Sequence, residues 1–256
     1  MKPQLTSKLE LNLFNERTSA DFVCDFAIKH RIPVIVALPE FIPQLLTRRM
    51  IRSGQFKIIA AIDFPKGANF AMDKIYRSNV DFAAADGFEI LLSPGRTQIE
   101  TRNEMKTIYE FIKMNNALLE VRWCVNGATT TEEELEGILK NMKVFPPSHL
   151  RIDSNLASPQ IDLEKQTRLA EIVSDNVPFP IKVSGNVNLE TMLALQGSKN
   201  VRRFDVSLKQ AESLVREINK EVSEKGRDAF KLPRNLEDRA KDDKPVQSGS
   251  VEPKFV

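Results

Sequence analysis

Two cations in this chain sit where neighbouring residues would place them to do chemistry. Lys182 lies in PIKVSG, residues 180–185, an otherwise apolar β-type run that ends in a small-residue turn. An amine desolvated there beside a second cation loses basicity and becomes a nucleophile able to condense with a carbonyl. Paired with a carboxylate from another strand, the same amine is only a structural cation. Arg151 is the centre of HLRIDSN, residues 149–155, where apolar and polar residues alternate and Asp153 follows two positions on. Further carboxylates and hydroxyls fall near the ends of similar runs: Asp63, Glu89, Asp205, Ser184 and Ser207. Glu89 and Asp153 are candidates to move protons.

The turn Ser184-Gly185-Asn186 could present backbone N–H groups to an anion, as small-residue loops before helices do. Ser207 is placed to assist, and FPKGANF, residues 64–70, is either a similar loop or plain punctuation. Asp63, Glu89, Asp153 and Asp205 could together supply oxygen ligands to a divalent cation, although Arg151 and Lys182 would neutralise much of their charge. The residues therefore call for neither a metal nor another cofactor. His30 and His149 have no companion nucleophile and read as surface or strand-edge residues. Cys24 and Cys124 are far apart and read as buried thiols, while Trp123 and the scattered phenylalanines read as core.

These side chains need a scaffold. Eight β-type runs recur, at residues 9–14, 33–38, 57–64, 88–93, 118–125, 149–154, 180–185 and 202–207, with helical segments between them. In LKQAESLVREI, Leu208, Ala211, Leu214, Val215 and Ile218 share one helical face. TTTEEELEGILKNM opens with Thr130 or Thr131 three residues before a glutamate, a capping-box start, and places Leu135, Ile138, Leu139 and Met142 on one stripe. Alternation of this kind predicts parallel strands joined by right-handed crossovers, closed into an α/β (β/α)8 TIM barrel over residues 1–224. A doubly wound open sheet is the alternative. Residues 225–256, rich in charge, Pro and Ser, predict a C-terminal tail that is mobile or docks on a partner through anchors such as Phe230 and Leu232.

Composition narrows the function classes. The 37 basic and 35 acidic side chains leave a formal charge of +2, too weak a field to argue for nucleic acid or membrane partners. The N-terminal stretch lacks the apolar run of a signal peptide, and no stretch approaches the roughly 18 apolar residues of a membrane span. A cytoplasmic protein is expected. Nothing in the residues sets the oligomeric state.

Several stretches resemble the deoxyribose-phosphate aldolases, class I aldolases built as (β/α)8 barrels. IDFPKGAN is similar to that family's GFPxGAN loop, ADGFEILLSPG to its ADEIDxVxNxG segment and IKVSGNV to its K-x-[SA]-G-G motif. VIVALPEFIP resembles its second strand and proline-rich exit, and TTTEEEL its TEEEI-like helix start. The resemblance runs in consistent order from about residue 9 to 215. It implies that Arg151-Ile152-Asp153-Ser154-Asn155 corresponds to the K-T-S-T-G motif carrying the Schiff-base lysine. Arginine replaces the nucleophile there, and a guanidinium cannot condense with an aldehyde. Lys182 falls on the family's second lysine, and Glu89 on the aspartate of its proton shuttle. Asn186 replaces the second glycine of the phosphate loop. Asp205 replaces a glycine that helps hold phosphate, and its carboxylate would repel a dianion. Glu10-Leu11-Asn12 stands where the family carries an Asp-His-Thr run.

Two functions follow as expectations. In the first, Arg151, Lys182, Glu89, Asp153 and Asp205 form a paired charge network. The barrel then acts as a non-catalytic binding, regulatory or inhibitory protein, meeting a protein partner through the tail or the barrel surface. In the second, the protein is a carbon–carbon lyase of the aldolase type that takes a small aldehyde or a phosphosugar. Lys182 is its Schiff-base residue, Glu89 or Asp153 its proton carrier, and Ser184, Gly185, Asn186 and Ser207 its phosphate site.

Overall fold

The computed structural model describes residues 5–13, 18–62, 67–77, 85–153, 163–185, 187–195, 198 and 200–230, with side chains to residue 220 other than that of Arg77. After a 3-10 turn at Leu5–Lys8, strands and helices alternate: β1 (Leu9–Asn12), α1 (Ala20–His30), β2 (Val34–Ala37), α2 (Ile42–Ile51), β3 (Lys57–Ile62) and α3 (Ala68–Arg77). They continue as β4 (Gly87–Leu91), α4 (Gln98–Asn115), β5 (Glu120–Asn126), α5 (Glu132–Met142), β6 (His149–Asp153) and α6 (Leu163–Asn176). The last are β7 (Ile181–Ser184), α7 (Leu189–Leu195), β8 (Val201–Ser207) and α8 (Leu208–Phe230). Each strand pairs in parallel with the next, and β1 pairs with β8, closing the barrel. The open-sheet alternative is thereby excluded.

Helix starts are set where the sequence supplies caps. Thr131, rather than Thr130, caps α5: its hydroxyl accepts from Glu134 N–H while the Glu134 carboxylate accepts from Thr131 N–H. Thr97 and Glu100 form the same reciprocal pair at α4. The stripes behind these caps are core, with Leu135, Leu139 and Met142 buried on α5 and Leu208, Ala211, Leu214, Val215 and Ile218 buried on α8. Gly87 opens β4 where a Cβ would come within 2.5 Å of the Glu120 carbonyl oxygen, so only glycine lets β4 and β5 lie this close.

The compact unit closes at Ile218, and a second unit begins at Asn219. The backbone of residues 225–230 is helical, belonging to α8, and the rest of the expected tail, residues 231–256, lies outside the described residues. Among the described residues no helix is long and apolar enough to cross a membrane.

Strand alternation sorts side chains into two populations. Leu9, Leu11, Ile35, Ile58, Ile90, Trp123, Ile152, Val183 and Phe204 belong to one large apolar cluster together with buried residues of the helices. Trp123 donates its indole N–H to the Phe145 carbonyl at 3.0 Å, which satisfies the one polar atom of that core residue. The alternate strand positions face the barrel interior, and on β2 and β3 these are Val34, Val36, Ile59 and Ala61, a separate small cluster. On the other six strands they are mostly polar or ionisable, with Gly87 and Leu91 on either side of Glu89 in β4 as exceptions.

Candidate active site: an ion-paired barrel interior

Parallel register brings the chemistry together. Glu10 pairs with Asp205, Glu89 with Arg122, and Arg151 with Lys182, each in direct register on adjacent strands. The β7–β8 register shifts between Ile181 and Lys182, and such an irregularity re-aims a side chain. Lys182, Arg151, Glu89, Asp153, Ser184 and Asp205, all named from the sequence, therefore converge in one buried cluster.

Lys182 is 0% exposed and meets three carboxylates: Glu89 Oε2 at 2.6 Å, Glu10 Oε2 at 3.1 Å and Asp205 Oδ1 at 3.5 Å. Burial works to depress its pKa, and so does Arg151, but Asp205, Glu89 and Glu10 outweigh both and push it above the ordinary lysine value. The amine is thus an ammonium without a free lone pair, the reverse of what a carbonyl-condensing lysine needs.

Arg151 Nη1 lies 2.8 Å from Glu89 Oε1 and 3.4 Å from Asp205 Oδ2, and its Nη2 lies 3.4 Å from Asp153 Oδ2. Its Nε donates to Cys124 Sγ at 2.9 Å. The Ser184 hydroxyl donates to Asp153 Oδ1, and Asn12 Nδ2 donates to Asp205 Oδ2 at 2.9 Å. Toward the N-terminal ends of the strands, Arg122 bridges Glu10 Oε2 and Glu120 Oε2, each at 2.9 Å, and Lys57 also engages Glu120.

The carboxylates respond unequally. Burial raises the pKa of Glu10, but Arg122 and Lys182 overcome it and hold the group down at about 2. Glu89 is also lowered, burial being outweighed by Arg151 and Lys182. Asp205 moves the other way: burial dominates and raises it. His149, the first residue of β6, lies on the inner face half-buried rather than at the surface. Burial and the Arg122 charge lower it to about 4, so it is neutral near pH 7. His30 stays on α1 at the outside, against Phe26. Cys24 and Cys124 are both buried, as expected.

The residues expected to hold a phosphate are occupied by their own chain. Gly185 follows β7 with φ +109°, a left-handed conformation suited to glycine, and its carbonyl accepts from Gln210 Nε2 at 3.1 Å. Gln210 Oε1 in turn accepts the Ser207 N–H at 3.0 Å, and the Ser207 hydroxyl accepts the Gln210 N–H at 3.2 Å. Ser207 thus caps α8, and one side chain spans the two loops that in barrels of this type often frame a phosphate. Asn186 and Asp63 lie outside the described residues. Among the described residues no group of three His, Cys, Asp or Glu side chains is arranged to hold a metal; Glu89, Asp153 and Asp205 are instead turned toward Arg151 and Lys182.

A cleft of about 420 Å³ opens at the outer helices between α4 and α5, lined by Ser93, Arg96, Asn126, Thr130, Glu133 and Lys140 among others. No described residue of the ion-paired cluster lines it. Glu10, Asn12, Arg122 and Cys124 were not foreseen as members of the network. Their signal was available in LELN and EVRWCVN, where a polar residue alternates with apolar ones and must face the interior once the apolar set faces the helices.

The sequence matches no family model and no curated protein. Among solved structures, the deoxyribose phosphate aldolase of Aeropyrum pernix superposes with a TM-score of 0.68 at 13% identity, covering 84% of this chain and 91% of the other. An aldolase designated QR15 gives 0.65 at 15% identity, covering 84% and 96%. KGPDC from Streptococcus mutans gives 0.53 at 16% identity, covering 85% and 97%. The likeness is one of fold. The chain is an aldolase-like TIM barrel in architecture.

Proposed function

We propose that this aldolase-like barrel performs no Schiff-base chemistry and acts as a non-catalytic binding, regulatory or inhibitory protein. The observation that carries the reading is the state of Lys182, a fully buried ammonium held by Glu89 at 2.6 Å and Glu10 at 3.1 Å. Two further features support it. Arg151, at the strand position that resembles the family's nucleophile, is a permanent cation spread over Glu89, Asp153 and Asp205. Gln210 occupies the Ser207 N–H that a phosphosugar would otherwise use. A protein partner would then be met by the tail from residue 225 or by the outer barrel surface, and the protein works in the cytoplasm.

Borohydride trapping tests this reading. The purified protein is incubated with a panel of small aldehydes and phosphosugars, reduced, and its intact mass measured. An unmodified mass across the panel is expected. A reduced adduct mapped to Lys182 would overturn the reading in favour of a lyase using that residue.

A further inference from the structure

Among the described residues, seven ionisable side chains inside the barrel are at most 2% exposed: the acids Glu10, Glu89, Asp153 and Asp205, and the bases Arg122, Arg151 and Lys182. Four acids face three cations. His149 does not restore the balance, because burial and Arg122 keep it neutral. The remaining cations stand at the margin, where water competes for them: Arg203, 29% exposed, reaches Glu10 Oε1 only at 3.9 Å, and Lys57, 54% exposed, is engaged with Glu120. A buried carboxylate with no cation of its own takes up a proton in preference to remaining charged.

The distances leave two acids without a cation closer than 3.4 Å, Asp153 and Asp205; of these Asp205 is fully buried and stands in direct register beside a second acid, Glu10. Glu89 lies 2.6 Å from Lys182 and 2.8 Å from Arg151, and Glu10 lies 2.9 Å from Arg122 and 3.1 Å from Lys182. Asp153 shares Arg151 and also receives the Ser184 hydroxyl. Asp205 receives the same two cations at 3.4 and 3.5 Å, after they have closed on Glu89, and its nearest donor is the neutral amide of Asn12 at 2.9 Å.

We propose that Asp205 is protonated in the native protein at neutral pH, so that the barrel interior binds one proton in place of a fourth cation. The groups facing it are Glu10 and Asn12 from β1, Glu89 from β4, Arg122 from β5, Arg151 and Asp153 from β6 and Lys182 and Ser184 from β7, with Arg203 and Ser207 on its own strand. Burial is the largest influence on Asp205 and raises its pKa; Lys182 and Arg151 oppose it, while Glu89 and Glu10 reinforce it. Folding therefore takes up a proton at this residue. Its contribution to stability is complete below the carboxyl's unfolded pKa and is lost as pH rises through the native one. Above that point the interior carries an uncompensated negative charge, which makes the pairing of the cluster a proton-sensitive lock. This inference goes beyond the proposed function and holds whether or not the protein is an enzyme.

The direct test is infrared difference spectroscopy at neutral pH, comparing wild type with Asp205→Asn. The expected result is a carboxylic-acid carbonyl band in wild type that disappears in Asp205→Asn and persists in Glu104→Gln, a control for the other buried acid whose pKa burial raises. A band absent from wild type at neutral pH, or one removed by Glu104→Gln and not by Asp205→Asn, overturns the proposal. Denaturant midpoints across pH give the second readout. Relative to wild type, Asp205→Asn is expected to gain stability steadily as pH rises, whereas an offset that does not change with pH overturns the proposal. Should Asp205→Asn fail to fold, the persistence of the band in Glu104→Gln and its loss on alkaline titration decide the matter.

Discussion

Strands β2 and β3 fill their share of the barrel interior with Val34, Val36, Ile59 and Ala61, whereas the other six strands fill theirs mainly with charge and hydrogen bonds. Both arrangements exclude water, but they differ in how they tolerate loss. An apolar patch loses contacts in proportion to the atoms removed. A buried ionic cluster behaves as a unit, because removing one partner leaves the others desolvated and unpaired. Assembling such a cluster gives little net stability. Breaking it at one point costs a great deal.

The ionic interior is most vulnerable at its shared cation. Lys182→Met removes the ammonium from Glu10, Glu89 and Asp205 at once, and is expected to destabilise the fold by about 3–5 kcal/mol, measured by denaturant unfolding at neutral pH. A loss under about 1 kcal/mol would mean that water or a rearranged Arg151 already serves these acids.

Acid should act on the ionic part alone. Glu10 is held at about 2 and Glu89 is also lowered. A lowered native pKa contributes stability that is present above the unfolded carboxylate value and lost as pH falls through the native one. The denaturation midpoint should therefore fall progressively below the ordinary carboxylate range. The double variant Glu10→Gln/Arg122→Met, with one acid and its buried cation gone, should show a shallower fall.

On the apolar side, Ile59→Val should cost only about 0.5–1.5 kcal/mol and leave the acid response unchanged. If it steepened the response, the two parts of the wall would be coupled rather than separate. The smallest effect is expected outside the barrel wall. Thr131→Ala removes the α5 cap and should cost about 1 kcal/mol by the same measurement, with no pH dependence in the carboxylate range beyond that of wild type.

Much of the scaffold could be read from the sequence because its signals are local. Short β-type runs place each strand within about two residues, as with 149–154 against the observed His149–Asp153, and a capping box from Thr130 or Thr131 places the start of α5 within one. The site was legible only in part. Lys182, Arg151, Glu89, Asp153 and Asp205 were anticipated as one paired network because each stands out on its strand. Arg122 and its partner Glu10 are separated by 112 positions, and one strand's alternation says that a residue faces inward but not what it will meet across the barrel. Ser207 and Gln210 have the serine-to-glutamine spacing of a capping box, a signal that lies in the sequence itself.

The bridge from Gln210 to Ser207 and Gly185 bears on how any visitor could reach that rim. In an empty anion cradle the arriving oxygens displace loosely held water. Here an incoming group must wait for a glutamine to rotate away, and whatever it gains from the freed N–H is reduced by two broken internal contacts. Entry at this corner would be paced by a side-chain rearrangement, and a glutamine-to-alanine change at position 210 would quicken it without adding a single attractive group.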